Sequence, residues 1–457
     1  MKKKILCGLI ASLCVYSSAN AMTALDDNAL SKVDGQALLS LSKDSYTYDN
    51  VNFYKLNFQA EMDINANIKS LQLGCGGVNN SIRTGCDIDI KNLSLSGLST
   101  GNDGTGSPTY TGDRASSSAK ITNPFIEFAI KNTGQASTRE VVGFRLGAEQ
   151  ILGMLTAGTS NTQNPSDGIQ SFSGYMKMAK TTGDVKTAQA KFGDSTNEQI
   201  SGYLTALFTD RTFTSDSTNS NNTGITVPSI TVNFTMPETV VSGTRLKDAK
   251  VTGIRSTIDK IPLAAGSGVA GVNDSVFAND QLFVKFPAIL LIASSAKFKM
   301  DTGSIIKNLN MDITFEQALS MIHNIPLTGT GGYLSMQKQS IKWAGTDAGD
   351  IAKTGWWMSF KDPVQLGYLQ AQNQVDISSV LPQVATLVTQ YLTTEENRIE
   401  INALEAIGSL LSVPIKKKLE IDLASYTSSS PATISLTNQI LKNQNVTSNC
   451  FGGLKFC

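Results

Sequence analysis

The chain has 457 residues, with 38 Lys+Arg against 38 Asp+Glu, 40% hydrophobic and 17% charged residues, and a single histidine. The even charge balance excludes a globally basic surface built for nucleic-acid phosphates, and the length supplies ample core for two or three domains or one long β architecture. Ser, Thr, Asn and Gly carry much of the polarity, so neutral side chains rather than charges are expected on the outer strand faces.

Lys2, Lys3 and Lys4 open the chain, residues 5–15 are apolar but too few to span a bilayer, and Ala19-Asn20-Ala21 gives the small-x-small pattern of a signal-peptidase site. Residues 1–21 are therefore read as a signal peptide. Leu13 before Cys14 argues against a lipoprotein. Cleavage after Ala21 removes three lysines and no acid, leaving 35 basic against 38 acidic residues. Thr23 then caps a short helix over residues 24–34, with Leu25, Ala29, Leu30 and Val33 on one side and Gly35 as its stop.

The strongest pattern follows. Leu56, Phe58, Ala60, Met62, Ile64, Ala66 and Ile68 occupy every second position, which predicts one long strand with a dry and a wet face. Alternation returns over 88–95, 230–236 and 419–423. A phrase recurs at Ile68-Lys69-Ser70-Leu71, Ile90-Lys91-Asn92-Leu93 and Ile306-Lys307-Asn308-Leu309, and reads as strands meeting the same bend. Apolar spacing of three and four predicts helices over 144–157, 315–322 and two stretches within 378–411. The loop at 214–224 is taken as the boundary between β-rich regions 37–213 and 225–457. The expected fold is mainly β, with long amphipathic antiparallel strands in sandwich-like or elongated sheets and a few short helices. No stretch after the signal is long enough for a transmembrane helix.

Without the signal, four cysteines remain: Cys75, Cys86, Cys450 and Cys457. An even number in an oxidising compartment argues for disulfides. The local pairs Cys75–Cys86 and Cys450–Cys457 are favoured over the two crossed pairings. CxxC spacing and histidine partners for a metal site are both missing.

Catalytic spellings fail on context. His323, the sole imidazole a triad could use, ends an apolar stripe and reads as a packing residue. Gly97-Leu98-Ser99-Thr100-Gly101 runs into loop rather than the helix a nucleophile elbow demands. Ser117-x-x-Lys120 and Ser294-x-x-Lys297 lead into strands, and Gly266-x-Gly268-x-x-Gly271 lacks the following helix. Asp103, Asp113 and Asp216 sit in loops without a calcium ladder. Trp356 and Trp357 point to opposite faces if they lie on a strand, so they form no flat platform. No catalytic residue, metal or cofactor is expected.

The segment Met22-Thr23-Ala24-Leu25-Asp26-Asp27-Asn28-Ala29-Leu30-Ser31-Lys32-Val33-Asp34-Gly35-Gln36 resembles the Leu-x-Asp-x-x-Leu-x-x-Val-x-Gly-Gln leader at the mature start of exported β-rich proteins of pseudomonad-type bacteria. The whole chain resembles the FilA type of pilus assembly protein, encoded among filament-biogenesis genes in Acinetobacter-like bacteria. The specific match covers residues 22–36. The resemblance implies a non-enzymatic structural protein at the cell surface, or in the periplasm, whose partners are other envelope or filament proteins. It carries over no catalytic residue and no nucleic-acid partner. The alternatives are an outer-membrane β-barrel, with outer-membrane association, or an envelope lipid-binding protein.

Overall fold

Alternating side chains become strands wherever one face finds a core, and this chain does so throughout. A computed structural model describes residues 39–98, 101–102, 108–109, 117–289, 293–446 and 449. Residues 1–21, read above as a signal peptide, the 22–36 segment, most of the 99–116 loop, Cys450 and Cys457 lie outside these residues. The fold is mainly β, in several sheets with few helices.

The largest sheet has eleven strands. Its main path runs Leu39–Tyr48, Val51–Phe58, Ala119–Lys131, Glu140–Thr156, Asn324–Gln337, Gly355–Phe360, Gly168–Met178, Ile88–Ser96, Ala66–Leu73. Glu140–Thr156 also pairs with Ile88–Ser96, Leu155 opposite Leu95, so five strands close into a ring. Leu39–Tyr48, Val51–Phe58 and Ala119–Lys131 extend from that ring as a wing. A six-stranded and a four-stranded sheet carry much of the remainder, and one large apolar core running from Ile88 to Leu441 joins all of them.

Several expectations are revised. The run 56–68 is not one strand. Val51–Phe58 and Glu61–Ile64 both lie on Ala119–Lys131, offset where Asn123 takes φ 48° and donates its N–H to Ala60 O at 2.9 Å. Beyond Asn65 the chain leaves to pair with Ile88–Ser96, and Met62 and Ile68 of the supposed dry face are exposed. The helix expected at 144–157 is the strand Glu140–Thr156. Its glycines disfavour helix and allow close packing; a Cβ on Gly147 would lie 2.6 Å from both the Phe125 ring and Gly332 O.

The helix expected at 315–322 is instead the end of the strand Ile305–Ala318, whose alternate residues Leu309, Met311, Ile313 and Phe315 are buried, followed by the 3-10 turn Leu319–Met321. Period two over the longer window outweighs the local stripe. Within 378–411 the helices do form, as α1 (Leu381–Leu392) and α2 (Ala403–Leu410), and the four-residue α3 (Ala424–Thr427) follows.

The 214–224 loop does not divide two separate units, because Thr209–Ser215 on one side pairs with Leu282–Ile289 on the other. Antiparallel pairing also gives way toward the C-terminal third, where Gly355–Phe360 already runs parallel to Gly168–Met178. Leu369–Gln370, Ile399–Ile401, Ile415–Lys417, Glu420–Asp422 and Ala432–Thr437 all join older strands in parallel, as segments that return over the sheets through helices and loops must. The recurring phrase does mark a repeated backbone feature in two of its three copies. Asn92 and Asn308 both take positive φ, 54° and 58°, and each amide is held by an aspartate, Asp167 and Asp422. Asn tolerates this conformation better than most residues.

Cys75 and Cys86 are joined by a disulfide. The loop they close folds around Arg245, which is only 1% exposed. Its Nε donates to Asp87 Oδ1 at 2.8 Å and its Nη2 to the carbonyls of Gly74 and Gly76 at 2.9 and 2.8 Å, while Nη1 donates to Arg83 O. Asp87 in turn accepts from Asn79 Nδ2 and from the Trp356 backbone N–H. Breaking such a pair on one side leaves a buried charge unmet. Arg245→Leu is expected to lower the unfolding free energy by about 3–5 kcal/mol. Arg255→Leu, which removes the exposed pair with Asp312, should cost under about 1 kcal/mol. Urea titration of both variants checks the contrast, and equal losses would refute it.

Candidate functional site

On the outer face of the large sheet, pairing sets Lys55, Glu127, Arg145, Ser335 and Trp357 in one row across five strands. Successive side chains alternate between faces, so a lone acid in Phe125-Ile126-Glu127-Phe128 and a lone base in Phe144-Arg145-Leu146 land side by side. Residues 338–354 cross over this row and cover it. Val51, Phe53, Ala129, Val142, Tyr333, Ile341, Trp343 and Trp357 form a second apolar core between sheet and cover.

Arg145 is 5% exposed. Its Nε donates to Glu127 Oε2, its Nη2 donates to Ala344 O at 2.8 Å, and its guanidinium lies 5.0–5.2 Å from the ring centres of Phe125, Tyr333 and Trp343. Beside it Asp350 accepts from Ser359 Oγ at 2.6 Å, Tyr333 Oη at 2.7 Å and Trp357 Nε1 at 3.0 Å. Burial pushes the Glu127 carboxyl above the usual carboxylate range, against the pull of Arg145. Burial likewise raises Asp350, although its three donors oppose the shift. Tyr333 is held well above the ordinary phenol value by burial and then by Asp350. Burial thus works against the charge on both carboxyls, and the donors of Arg145, Ser359, Tyr333 and Trp357 work for it.

A cavity of about 390 Å³ opens next to this network, lined by Lys55, Arg145, Glu149, Tyr333, Asp347 and Lys361 among others. Two of its acids are paired: Glu149 with Lys55 at 3.4 Å and Asp347 with Lys177 at 2.6 Å. The hydroxyls of Tyr333 and Ser359 are committed to Asp350. The arrangement is therefore suited to holding structure or a polar ligand through paired charges.

The opposite face of the wing is built differently. One row reads Leu41, Leu56, Ile126, Leu146, Leu334 and Met358. The next reads Lys43, Tyr54, Phe128, Phe144, Met336 and Trp356. At one end Leu334, Met358 and Trp356 pack against the main core. At the other Leu41 is 77% exposed, and Leu39, Phe128, Leu146 and Met336 are exposed as well. The sheet thus presents an apolar surface, continuous with the interior, that no described residue covers.

The residues singled out in the sequence are scattered. Cys75 and Cys86 are bonded at the Arg245 loop. His323 is fully buried with Nδ1 at 2.8 Å from Ala157 O, and burial lowers its pKa. Lys120 pairs with Glu61 across strands. Asp216 is engaged by Lys285 and Thr218. Gly266, Gly268 and Gly271 all have positive φ in a loop. Trp357 lies in the second core while Trp356 faces the other side, as their adjacency on a strand requires. Asp103 and Asp113 lie outside the described residues, and so do Cys450 and Cys457. Among the described residues no cluster of three or more His, Cys, Asp or Glu could hold a metal ion. No family model, curated protein or solved structure matches the chain.

Arg145→Met strands Glu127 in an apolar layer and is expected to cost about 3–5 kcal/mol at neutral pH. A carboxyl raised in the folded state takes up its proton before the unfolded chain does, so folding gains as pH falls from neutral toward the ordinary carboxylate range. The loss in Arg145→Met should therefore shrink toward about pH 5, and Glu127→Gln in the same chain should recover much of it. Urea unfolding at both pH values is the measurement; a loss that ignores pH and is not rescued would reject the account.

Proposed function

We propose that this chain is an exported, non-enzymatic structural protein that acts through its surfaces in a bacterial surface filament or pilus assembly. The observation that carries the reading is the apolar face of the wing. A sheet with one solvated face ordinarily turns its polar side to water. This one places its charges under a cover and leaves Leu41, Phe128, Leu146 and Met336 outside. Covering each such side chain is worth about 1.5–3 kcal/mol when complete, enough together to hold an assembly contact.

Two further features support the reading. The strand Leu39–Tyr48 ends the path of the large sheet and pairs on one side only among the described residues, so it has main-chain groups free for an added strand. The segment that carries the family resemblance, 22–36, leads within three residues into that edge. The Cys75–Cys86 disulfide fits an oxidising compartment, and no helix among the described residues is long and apolar enough to cross a membrane. The closed ring has five strands, fewer than the eight of the smallest membrane barrels.

Leu41→Glu with Leu146→Glu replaces exposed side chains, so the urea midpoint should stay within experimental error of the parent. The expected outcome is loss of higher-order species in sedimentation velocity and loss from the sheared-surface fraction of expressing cells. A variant that distributes as the parent does would sink the reading.

A further inference from the structure

A second apolar surface lies at another place in the fold, and it has a different build. The hairpin Ser201–Ala206 and Thr209–Ser215 turns through Leu207 and Phe208, with Ala206 opposite Thr209. Both turn residues take positive φ, 53° and 63°. Such two-residue turns favour Asn-Gly because L side chains are strained there. Here the positions hold two large apolar residues, and Phe208 is fully exposed at 103% of its reference area. Strain kept at a protruding tip, with no packing in return, points to a contact outside the chain.

Helix α2 lies beside this tip. Ile399–Ile401 runs parallel to Ser201–Ala206 with Ile401 opposite Ala206, and Asn402 then caps α2. The helix is turned inside out. Ala406 packs toward the core, whereas Leu404 and Leu411 are 81% and 75% exposed, with Ile407 and Leu410 exposed beside them. No residue of α2 is buried. Polar contacts hold it instead: Asn402 and Glu405 form a reciprocal cap, and Lys417 Nζ reaches Glu405 at 2.7 Å. An amphipathic helix normally buries its apolar face, so this one is anchored with that face outward.

We infer that the tip at Leu207–Phe208 and helix α2 together dock on a phospholipid bilayer surface. The shape favours lipid over a folded partner, because the side chains stand on a protruding turn and a helix crest rather than lining a groove. The charge at the border agrees. Lys416, Lys417 and Lys418 follow a few residues beyond the helix, in and just after the strand Ile415–Lys417, and Lys416 is exposed. Of the acids on this side, Glu405 and Asp210 pair with Lys417 and Arg398 at 2.7 and 2.9 Å, Glu420 pairs with Lys418 at 2.9 Å, and Glu400 is exposed. Headgroups of either zwitterionic or anionic lipids would meet lysines, while Phe208, Leu404 and Leu411 reach the acyl boundary as interfacial helices do. The inference stands on residues remote in sequence from the wing and does not rest on the assembly reading.

The test is flotation of the purified chain with vesicles of phosphatidylcholine containing one quarter phosphatidylglycerol. The parent is expected to float with the vesicles. The triple variant Phe208→Ser/Leu404→Ser/Leu411→Ser should lose partitioning by about two orders of magnitude with an unchanged urea midpoint, since all three side chains are exposed. In a separate Phe208→Trp variant, brominated acyl chains should quench the added indole emission and shift it to the blue, relative to the native tryptophans of the parent. A parent that stays at the bottom of the gradient overturns the inference, as does a triple variant that floats equally or an indole at 208 that bromine does not reach. Self-association lost in the triple variant without any flotation also overturns it, in favour of contact with a second copy.

Discussion

Taking a guanidinium out of water costs several kcal/mol unless its donors are met, and among the described residues this protein does so at Arg145 and Arg245. Each is matched by one carboxylate and by carbonyls from a loop that would otherwise have little reason to sit where it does. Arg245 draws the disulfide loop, the strand Thr239–Leu246 and, through Asp87, the start of Gly355–Phe360 to one point. Arg145 draws the wing strand Ala119–Lys131 and the cover 338–354 to another. A one-residue slip in a strand sends every side chain to the other face. With a buried charge on the strand, such a slip would drive Glu127 or Arg145 onto the apolar side. Register across the middle of the large sheet is therefore fixed by electrostatics as well as by shape.

That fixed register explains why the two faces of the wing differ so sharply. The charged face needs a lid that excludes water and returns hydrogen bonds, and 338–354 supplies both, with Ile341 bridged to Ala352 and Asp350 bonded to three side chains of the sheet. Once this lid is on, the apolar rows beginning at Leu41 and Lys43 have no further part of the described chain to cover them. The ring swallows one end of each row and leaves the other in solvent. An open apolar face of this kind is the mark of a contact surface or of an aggregation hazard.

Much of this was legible in the sequence, and the reasons for the rest are physical. Alternation named the strands at 88–95 and 230–236, the spacing of Cys75 and Cys86 named their bond, and adjacency placed Trp356 and Trp357 on opposite faces. The repeated Ile-Lys-Asn-Leu phrase marked a shared backbone feature because Asn alone of its residues accepts a left-handed conformation readily. The apolar spacing of 144–157 satisfies both periods, and Gly143, Gly147 and Gly153, which argue against helix, decide for the strand. Closure of the ring was not legible, since Leu95 meets Leu155 only after both strands have found other partners. Nor was the Glu127–Arg145 pair, although a lone acid and a lone base inside apolar strands are the signal that would have found it. Arg245 and Asp87 are separated by 158 positions in sequence, and nothing local in either segment announces the other.

The edge of the wing carries one more constraint on how an assembly contact can form. Exposed edges invite uncontrolled pairing, and proteins blunt them with bulges, lysines and irregular register. Leu39–Tyr48 does this in one half only. From Leu39 to Lys43 its pairing with Val51–Phe58 is continuous, but register shifts between Lys43 and Thr47, where the Tyr46 N–H is turned to Asp44 Oδ1 at 2.8 Å and the Tyr46 ring stacks on Phe53. The second half is thereby closed to a regular ladder. An added strand would be confined to the first five residues, on the side where Leu39 and Leu41 expose their apolar faces. Main-chain pairing and side-chain burial would then be satisfied by the same partner in a single register, which separates an assembly edge from one that merely aggregates.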